Sequence, residues 1–278
     1  HEIAHVDFNL PDMSQLGEVL DGILKSAKLR NLHEVMREAA LQSALGLTTT
    51  EAENAFALSV AETKGIDHKI IAREKARTLK KNGLLEVVET TTSLDDIGGL
   101  GLLKEWLVRR AGAFSNSAKA YGLPAPKGLL IVGIPGTGKS LTAKATASAF
   151  GLPLLRLDMG RVFGGIVGQS EANLRSVIQT AEAIAPCVLW IDEIEKGFSG
   201  SQSSGSTDGG TSSRVFGSFL SWMQEKDKPV FVVATANDVS KLPPEFLRKG
   251  RFDELFFVDL PDALERAQIW DIVIARNK

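Results

Sequence analysis

The sequence predicts an α/β fold, a parallel sheet between helices, preceded by an all-α four-helix bundle. Three observations predict it. Apolar residues recur at helical spacing from Met13 to about Asn82. From Gly128 onward, short apolar runs alternate with amphipathic stretches. The first of those runs ends in a glycine-rich turn that opens a helix. Strands alternating with helices imply a parallel sheet with both faces covered.

Composition fits this class. The chain has 278 residues, 44% hydrophobic and 24% charged, which excludes disorder over most of its length and suits roughly two domains. Lys plus Arg is 32 against 34 for Asp plus Glu, a net charge of −2. That balance supplies no basic field for phosphodiester backbones, so no nucleic-acid partner is expected. The one cysteine, Cys187, excludes an intrachain disulfide and suits a reducing compartment. No uncharged apolar run nears the ~20 residues that span a bilayer, so no membrane association is expected. The chain begins at His1 without a secretory pattern and reads as a piece of a longer polypeptide.

In the helical part, Leu16, Val19, Leu20, Ile23 and Leu24 form one stripe. Leu32, Val35, Met36, Ala39, Ala40 and Leu41 form a second, stopped near Gly46. Thr48 with Glu51 fits a capping box that opens a third helix, with Ala52, Ala55, Phe56, Ser59 and Val60 on its inner face. Gly65 ends it, Asp67 caps a fourth helix through Ile70, Ile71, Ala76 and Leu79, and Gly83 stops that one. Thr90–Leu100, polar and then glycine-rich, reads as a linker. The expected strands are Gly128–Val132, Leu154–Leu157, Cys187–Ile191, Val230–Thr235 and Leu255–Val258. Ser199–Ser213 has no apolar side chain and reads as a flexible surface loop, or as a loop that orders on a partner.

The chemistry begins at Gly133-Ile-Pro-Gly-Thr-Gly-Lys-Ser140, a full G-x-x-x-x-G-K-S phosphate loop between a strand and a helix. Gly133, Gly136 and Gly138 are expected to adopt angles that a Cβ would block, so that successive N–H groups face phosphate oxygens. The helix beginning near Lys139 adds its positive end, Lys139 neutralises the β and γ phosphates, and the Ser140 hydroxyl binds Mg²⁺. The strand Val188-Leu-Trp-Ile then delivers Asp192 and Glu193 at its carboxyl end. Asp192 is expected to hold Mg²⁺ through water, and Glu193 to orient or deprotonate the attacking water. Asn237, after the next buried strand, reads equally as a turn residue or as an amide that positions that water. Arg248-Lys-Gly-Arg251 reads either as solvated surface or as fingers that reach a γ-phosphate in a neighbouring subunit.

Asp95-Asp-Ile-Gly-Gly99, the phosphate loop, Asp192-Glu193, Asn237 and Arg248-x-x-Gly-Arg251-Phe-Asp253 occur in one order. From Ser93 to Lys278 the chain resembles the P-loop large subdomain of an AAA ATPase of the AAA+ superfamily. More narrowly it resembles the divergent AAA proteins of chloroplast genomes and cyanobacteria. The resemblance implies a Mg²⁺-dependent ATPase that works as a homo-oligomer, a hexameric ring or helix, to remodel an unknown protein substrate. A nucleotide-dependent regulatory binding module with slow hydrolysis is the alternative. It also implies the cytoplasm of a cyanobacterium or the chloroplast stroma. Residue by residue, it implies that Ile97 and Gly98 border the adenine. Pro135, Gly136, Thr137, Gly138, Lys139, Ser140 and Leu141 wrap the phosphates. Ser140 and Asp192 serve the metal, Glu193 and Asn237 the water, and Arg248 and Arg251 act in trans. Arg214 matches a second intersubunit arginine.

Gly165-Ile-Val-Gly168 falls where threading members of the family carry a pore aromatic. Ile166 stands in that place and Phe163 just upstream, which weakens the expectation of polypeptide threading. The stretch reads equally as a glycine-rich helix connection. Finally, Val6-Asp-Phe-Asn-Leu-Pro-Asp12 echoes Phe257-Val-Asp-Leu-Pro-Asp262. The echo makes residues 1–12 the expected last strand of a preceding AAA-like module. Residues 13–90 become its helical lid and linker, and 91–278 the large subdomain, whose own C-terminal lid is mostly absent.

Overall fold

The computed structural model describes residues 10–277, apart from Asn31, Ser115, residues 164–168 and residues 202–207. The expected strand within residues 1–9 and the expected pore loop therefore lie outside the described residues. The chain divides into two compact units, one through Gly83 with Ser176–Ile184, the other Leu84–Arg175 with Ala185–Lys278.

The first unit contains helices α1 (Met13–Ser26), α2 (Glu34–Ala44), α3 (Thr49–Thr63) and α4 (His68–Asn82). Their core joins Leu16, Leu20 and Leu24 to Ala40, Leu41, Ala44, Phe56 and Ile71. Each fully buried Leu contributes about 2 kcal/mol. Local signals set the ends. Thr48 N–H donates to Glu51 Oε2 at 2.8 Å, and Glu51 N–H to Thr48 Oγ1 at 3.4 Å. Asp67 Oδ1 accepts from Lys69 N–H at 2.8 Å. The second stripe holds at Ala40 and Leu41, which are buried together with Ala44, whereas Val35 and Met36 are 69% and 55% exposed. Helix α2 starts at Glu34, so Val35 and Met36 sit in its first turn, before the face that meets its neighbours.

The second unit is built on one six-stranded sheet. It comprises β1 (Leu85–Val88), α5 (Gly101–Arg110), α6 (Asn116–Ala120), β2 (Gly128–Gly133), α7 (Lys139–Phe150) and β3 (Leu154–Leu157). After these come α8 (Met159–Phe163), α9 (Gln169–Ile184), β4 (Cys187–Ile191), α10 (Asp208–Glu225), β5 (Val230–Ala236), β6 (Glu254–Val258) and α11 (Ala263–Arg276). Half of α9 is counted with the first unit. The strand order is β1-β3-β4-β5-β2-β6. Every pairing is parallel except that of β1, which lies antiparallel on β3. Strands β2, β4 and β5 are buried along their whole length, as expected of central strands covered on both faces. The core gathers Leu107, Ile131, Ala143, Phe150, Trp190, Phe231 and Val233.

Three sequence expectations change. Strand β1 falls within the stretch read as bundle and linker. Helix α10 begins at Asp208, inside the stretch read as a loop. Thr90–Leu100 is tied down: Gly99 N–H donates to Gln268 Oε1 at 2.9 Å, Leu100 N–H to Glu265 Oε1 at 3.3 Å, and Arg276 bonds Asp96 at 2.9 Å. All three partners lie on α11.

Candidate nucleotide site

Strands β4, β5 and β2 are neighbours, and their carboxyl ends open on one side, where parallel sheets bind ligands. There the turn after β2, the acids after β4 and the amide after β5 surround a cavity of about 220 Å³. Its lining is Pro135, Gly136, Gly138, Lys139, Ser140, Leu141, Asp192, Glu193 and Asn237.

The turn takes its shape from Gly136 (φ +89°) and Gly138 (φ +86°), angles that a Cβ disfavours. Gly133 differs from expectation, since it has no positive φ. It closes strand β2, and a Cβ there would lie 2.0 Å from the Val258 carbonyl oxygen of β6. Its side chain is excluded by the neighbouring strand rather than by the turn. Thr137 Oγ1 donates to the Ile134 carbonyl at 2.9 Å and does not line the cavity. Lys139 is 7% exposed, and its Nζ donates to the carbonyls of Gly133 and Ile134 at 2.6 and 2.7 Å. Burial holds its pKa below the usual lysine value, against the opposing pull of Glu195, Asp192 and Glu193.

The acids are held by groups from two neighbouring strands, β3 and β5, and from the helical segments beside them. Asp192 Oδ1 accepts from Thr235 Oγ1 at 2.7 Å and from Ser140 Oγ at 3.3 Å. Arg156 Nη2 on β3 lies 3.6 Å from Asp192 Oδ2, with its guanidinium 4.9 Å from the Trp190 ring centroid. Glu193 has φ +50°, uncommon for a residue with a side chain, and its N–H donates to Thr235 Oγ1 at 3.0 Å. Glu193 Oε1 accepts from Asn237 Nδ2 at 2.9 Å, and Oε2 pairs with Lys196 Nζ. Chiefly the Lys196 bond, with help from Asn237 and against partial burial, holds the Glu193 carboxyl below the usual range. Asn237 N–H donates to Glu195 Oε1 at 2.9 Å.

A Ser140 hydroxyl facing an Asp192 carboxylate is a hard-oxygen pair, and Mg²⁺ takes one or two such protein ligands beside phosphate and water. Among the described residues no cluster of three or more His, Cys, Asp or Glu offers a rival metal site. No described helix is long and apolar enough to cross a membrane.

Other expected residues lie apart from the cavity. Arg248 is exposed, and Arg251 donates to the Glu245 carbonyl of its own chain. Arg214 is exposed on α10. Ile97 is buried, and a Cβ on Gly98 would lie 2.5 Å from Ile269 Cγ1 of α11, so this pair packs beneath that helix. The Phe163 ring stacks on Phe216 at 5.1 Å. Sequence reasoning missed Thr235, Lys196 and Arg156. The available signals were a hydroxyl inside an apolar strand, a lysine one three-residue turn after Glu193, and an arginine in the otherwise apolar Leu154–Leu157.

Residues 129–260 match the family described as ATPase family associated with various cellular activities (AAA). Residues 14–82 match the SpoVK-like AAA ATPase, second domain. The chain is 47% identical over 277 residues to an uncharacterized AAA domain-containing protein, ycf46, of Pyropia yezoensis, covering 99% of this chain and 56% of that protein. It is 48% identical over 273 residues to its namesake in Guillardia theta, covering 97% and 53%. It is 34% identical over 189 residues to the cell division control protein 48 homolog C of Arabidopsis thaliana, covering 66% and 22%. The chain thus spans about half the length of the ycf46 relatives. With a phosphate loop, paired acids and a strand-end amide converging on one cavity inside the matched region, the chain carries an AAA ATPase domain and belongs to that family.

Proposed function

We propose that the protein binds ATP with Mg²⁺ in this cavity and hydrolyses it, as one subunit of a homo-oligomer that remodels a protein partner. The observation that carries the reading is the convergence of Lys139, Ser140, Asp192, Glu193 and Asn237 on one cavity. The backbone N–H groups of the turn and the start of α7 face the phosphates, and Lys139 exchanges its two carbonyl partners for phosphate oxygens. Ser140 and Asp192 hold Mg²⁺, which supplies charge neutralisation on the phosphates. Glu193 accepts a proton from water as the water attacks, and Asn237 keeps the carboxylate aimed. Arg248 and Arg251 stabilise the leaving charge from the neighbouring copy. Ile97 and Gly98 border the adenine. A site completed head-to-tail by the next copy builds a closed ring or a helical array, with six the expected number for a ring.

In Glu193→Gln, ATP is expected to bind as in the parent while turnover falls roughly 100-fold or more, the usual contribution of a general base. Equilibrium binding of a fluorescent ATP analogue beside phosphate release measures both. Undiminished turnover in that variant overturns the assignment.

A second reading, a nucleotide-set binding module with slow hydrolysis, is favoured by one observation. Both oxygens of Glu193 are already engaged, by Asn237 and Lys196. An unstructured protein should accelerate turnover in a remodeller and leave it unchanged in a switch.

We also infer that residues 1–12 end a preceding AAA-like module whose lid is the bundle from Met13. The paired helix starts support it. Asp12 and Asp262, each after Leu-Pro, cap α1 and α11 in the same way, with Gln15 and Glu265 closing the box. The match of residues 14–82 to an AAA second domain points the same way. The cellular site proposed from the ycf46 likeness is the chloroplast stroma or a cyanobacterial cytoplasm.

A further inference from the structure

Resting on the hydrolase reading, we propose that Lys196 is a built-in brake, a positioning residue that restrains Glu193 and keeps turnover below what the site's chemistry allows. The restraint is written into the local backbone. After Glu193 the chain enters a 3₁₀ segment, Ile194–Ser201, and Lys196 N–H donates to the Glu193 carbonyl at 2.9 Å. Three residues per turn place side chains at i and i+3 over one another, so Lys196 stands over Glu193. The left-handed φ of Glu193, fixed by the Thr235 bond to its N–H, sets the direction in which its side chain leaves the backbone. Such a conformation costs about 1–3 kcal/mol and persists only where its surroundings impose it.

The carboxylate is then held at both ends, Oε1 by the Asn237 amide and Oε2 by the Lys196 ammonium. The Asn237 bond leaves one oxygen of the carboxylate to receive the proton from water, and the Lys196 ammonium occupies that oxygen. Of the two donors, Lys196 is the less firmly held. Its side chain is 66% exposed, whereas the Asn237 backbone is anchored on Glu195. An exposed ion pair is worth about 0–1 kcal/mol, too little to matter for folding, yet a restraint of that size that persists with nucleotide bound lowers turnover by up to about fivefold. Lys196 therefore restrains the step in which water is deprotonated, without contacting the reacting atoms.

The test uses the full chain and four proteins: the parent, Lys196→Gln, Lys196→Arg and Glu193→Gln. In Lys196→Gln, kcat is expected to rise about two- to fivefold with KM for ATP and the thermal midpoint unchanged, and Lys196→Arg is expected to stay near the parent. Reductive methylation read by mass spectrometry reports the pair without any turnover. Lys196 should react faster in Glu193→Gln, because its ammonium has lost the carboxylate. An unchanged or lower kcat in Lys196→Gln overturns the brake, as does equal labelling of Lys196 in the parent and Glu193→Gln. Failure of the underlying reading looks different: a parent whose hydrolysis survives Glu193→Gln, or no hydrolysis in any protein despite bound ATP analogue.

Discussion

Thr235 shows how much a single hydroxyl can organise. It is fully buried, donates to Asp192 and accepts from the Glu193 backbone, so one side chain fixes the direction of both acids. Thr235→Val keeps the shape but leaves a backbone N–H without its acceptor, at a cost of about 1–3 kcal/mol. The expected outcome is a lower thermal midpoint together with weaker Mg²⁺-dependent retention of ATP analogue, measured by titration at several Mg²⁺ concentrations. A lowered midpoint with unaltered Mg²⁺ dependence would leave Thr235 a purely structural role. The residue was invisible in the sequence because threonine is an ordinary strand former, and its value arises only when β4 and β5 pair. Gly136, Gly138, Lys139, Ser140, Asp192 and Glu193 were legible because local spacing brings most of them together. Arg156 and Lys196 were not, since their meaning depends on which strand or turn they face. Gly133 was singled out for the wrong reason: the constraint comes from β6, far along the chain, and not from its own turn.

At the scale of elements, five of the six strands were legible within a residue, because each is a short apolar run bounded by glycine, proline or charge. Strand β1 was missed. Four residues carrying Glu86 right after a helix stop give too little alternation to separate from a linker, and the strand exists because β3 offers an edge. The start of α10 was missed because Asp208-Gly-Gly-Thr-Ser-Ser has weak helix formers, overridden by the apolar face that begins at Val215. Caps were the most reliable signal, and they carry a prediction. Asp12→Ala and Asp262→Ala each remove an acceptor for the first-turn N–H groups and should each cost about 1 kcal/mol. Asp262→Ala has the wider effect. The Glu265 carboxylate that closes its box also accepts from Leu100 N–H, so loosening the start of α11 frees the segment carrying Ile97 and Gly98. Urea unfolding should show similar losses for the two variants, whereas ATP-analogue affinity should fall for Asp262→Ala alone. Equal affinities would separate the 97–100 segment from nucleotide binding.

For the whole molecule, the order of motifs made the α/β architecture and the cavity legible, while Arg248 and Arg251 stayed ambiguous because nothing within one chain decides between solvated surface and service to a neighbour. Arg248 is exposed, and Arg251 bonds its own Glu245 carbonyl, so neither reaches the cavity of its own chain. This separation suits a residue that serves a neighbour, and it makes Arg248 the cleaner probe, because Arg251→Ala also removes a tie within its own loop. If the site is shared, Arg248→Ala and Glu193→Gln are each inactive for different reasons: one lacks the guanidinium it lends, the other its own base. Mixed in equal amounts, they form contacts in which an intact Glu193 meets an intact Arg248. The mixture is therefore expected to hydrolyse ATP well above the sum of its parts, at a rate per subunit that climbs with total protein before levelling. Phosphate release across a dilution series measures both effects. Additive activity that does not depend on concentration would return Arg248 to the role of a solvated surface residue.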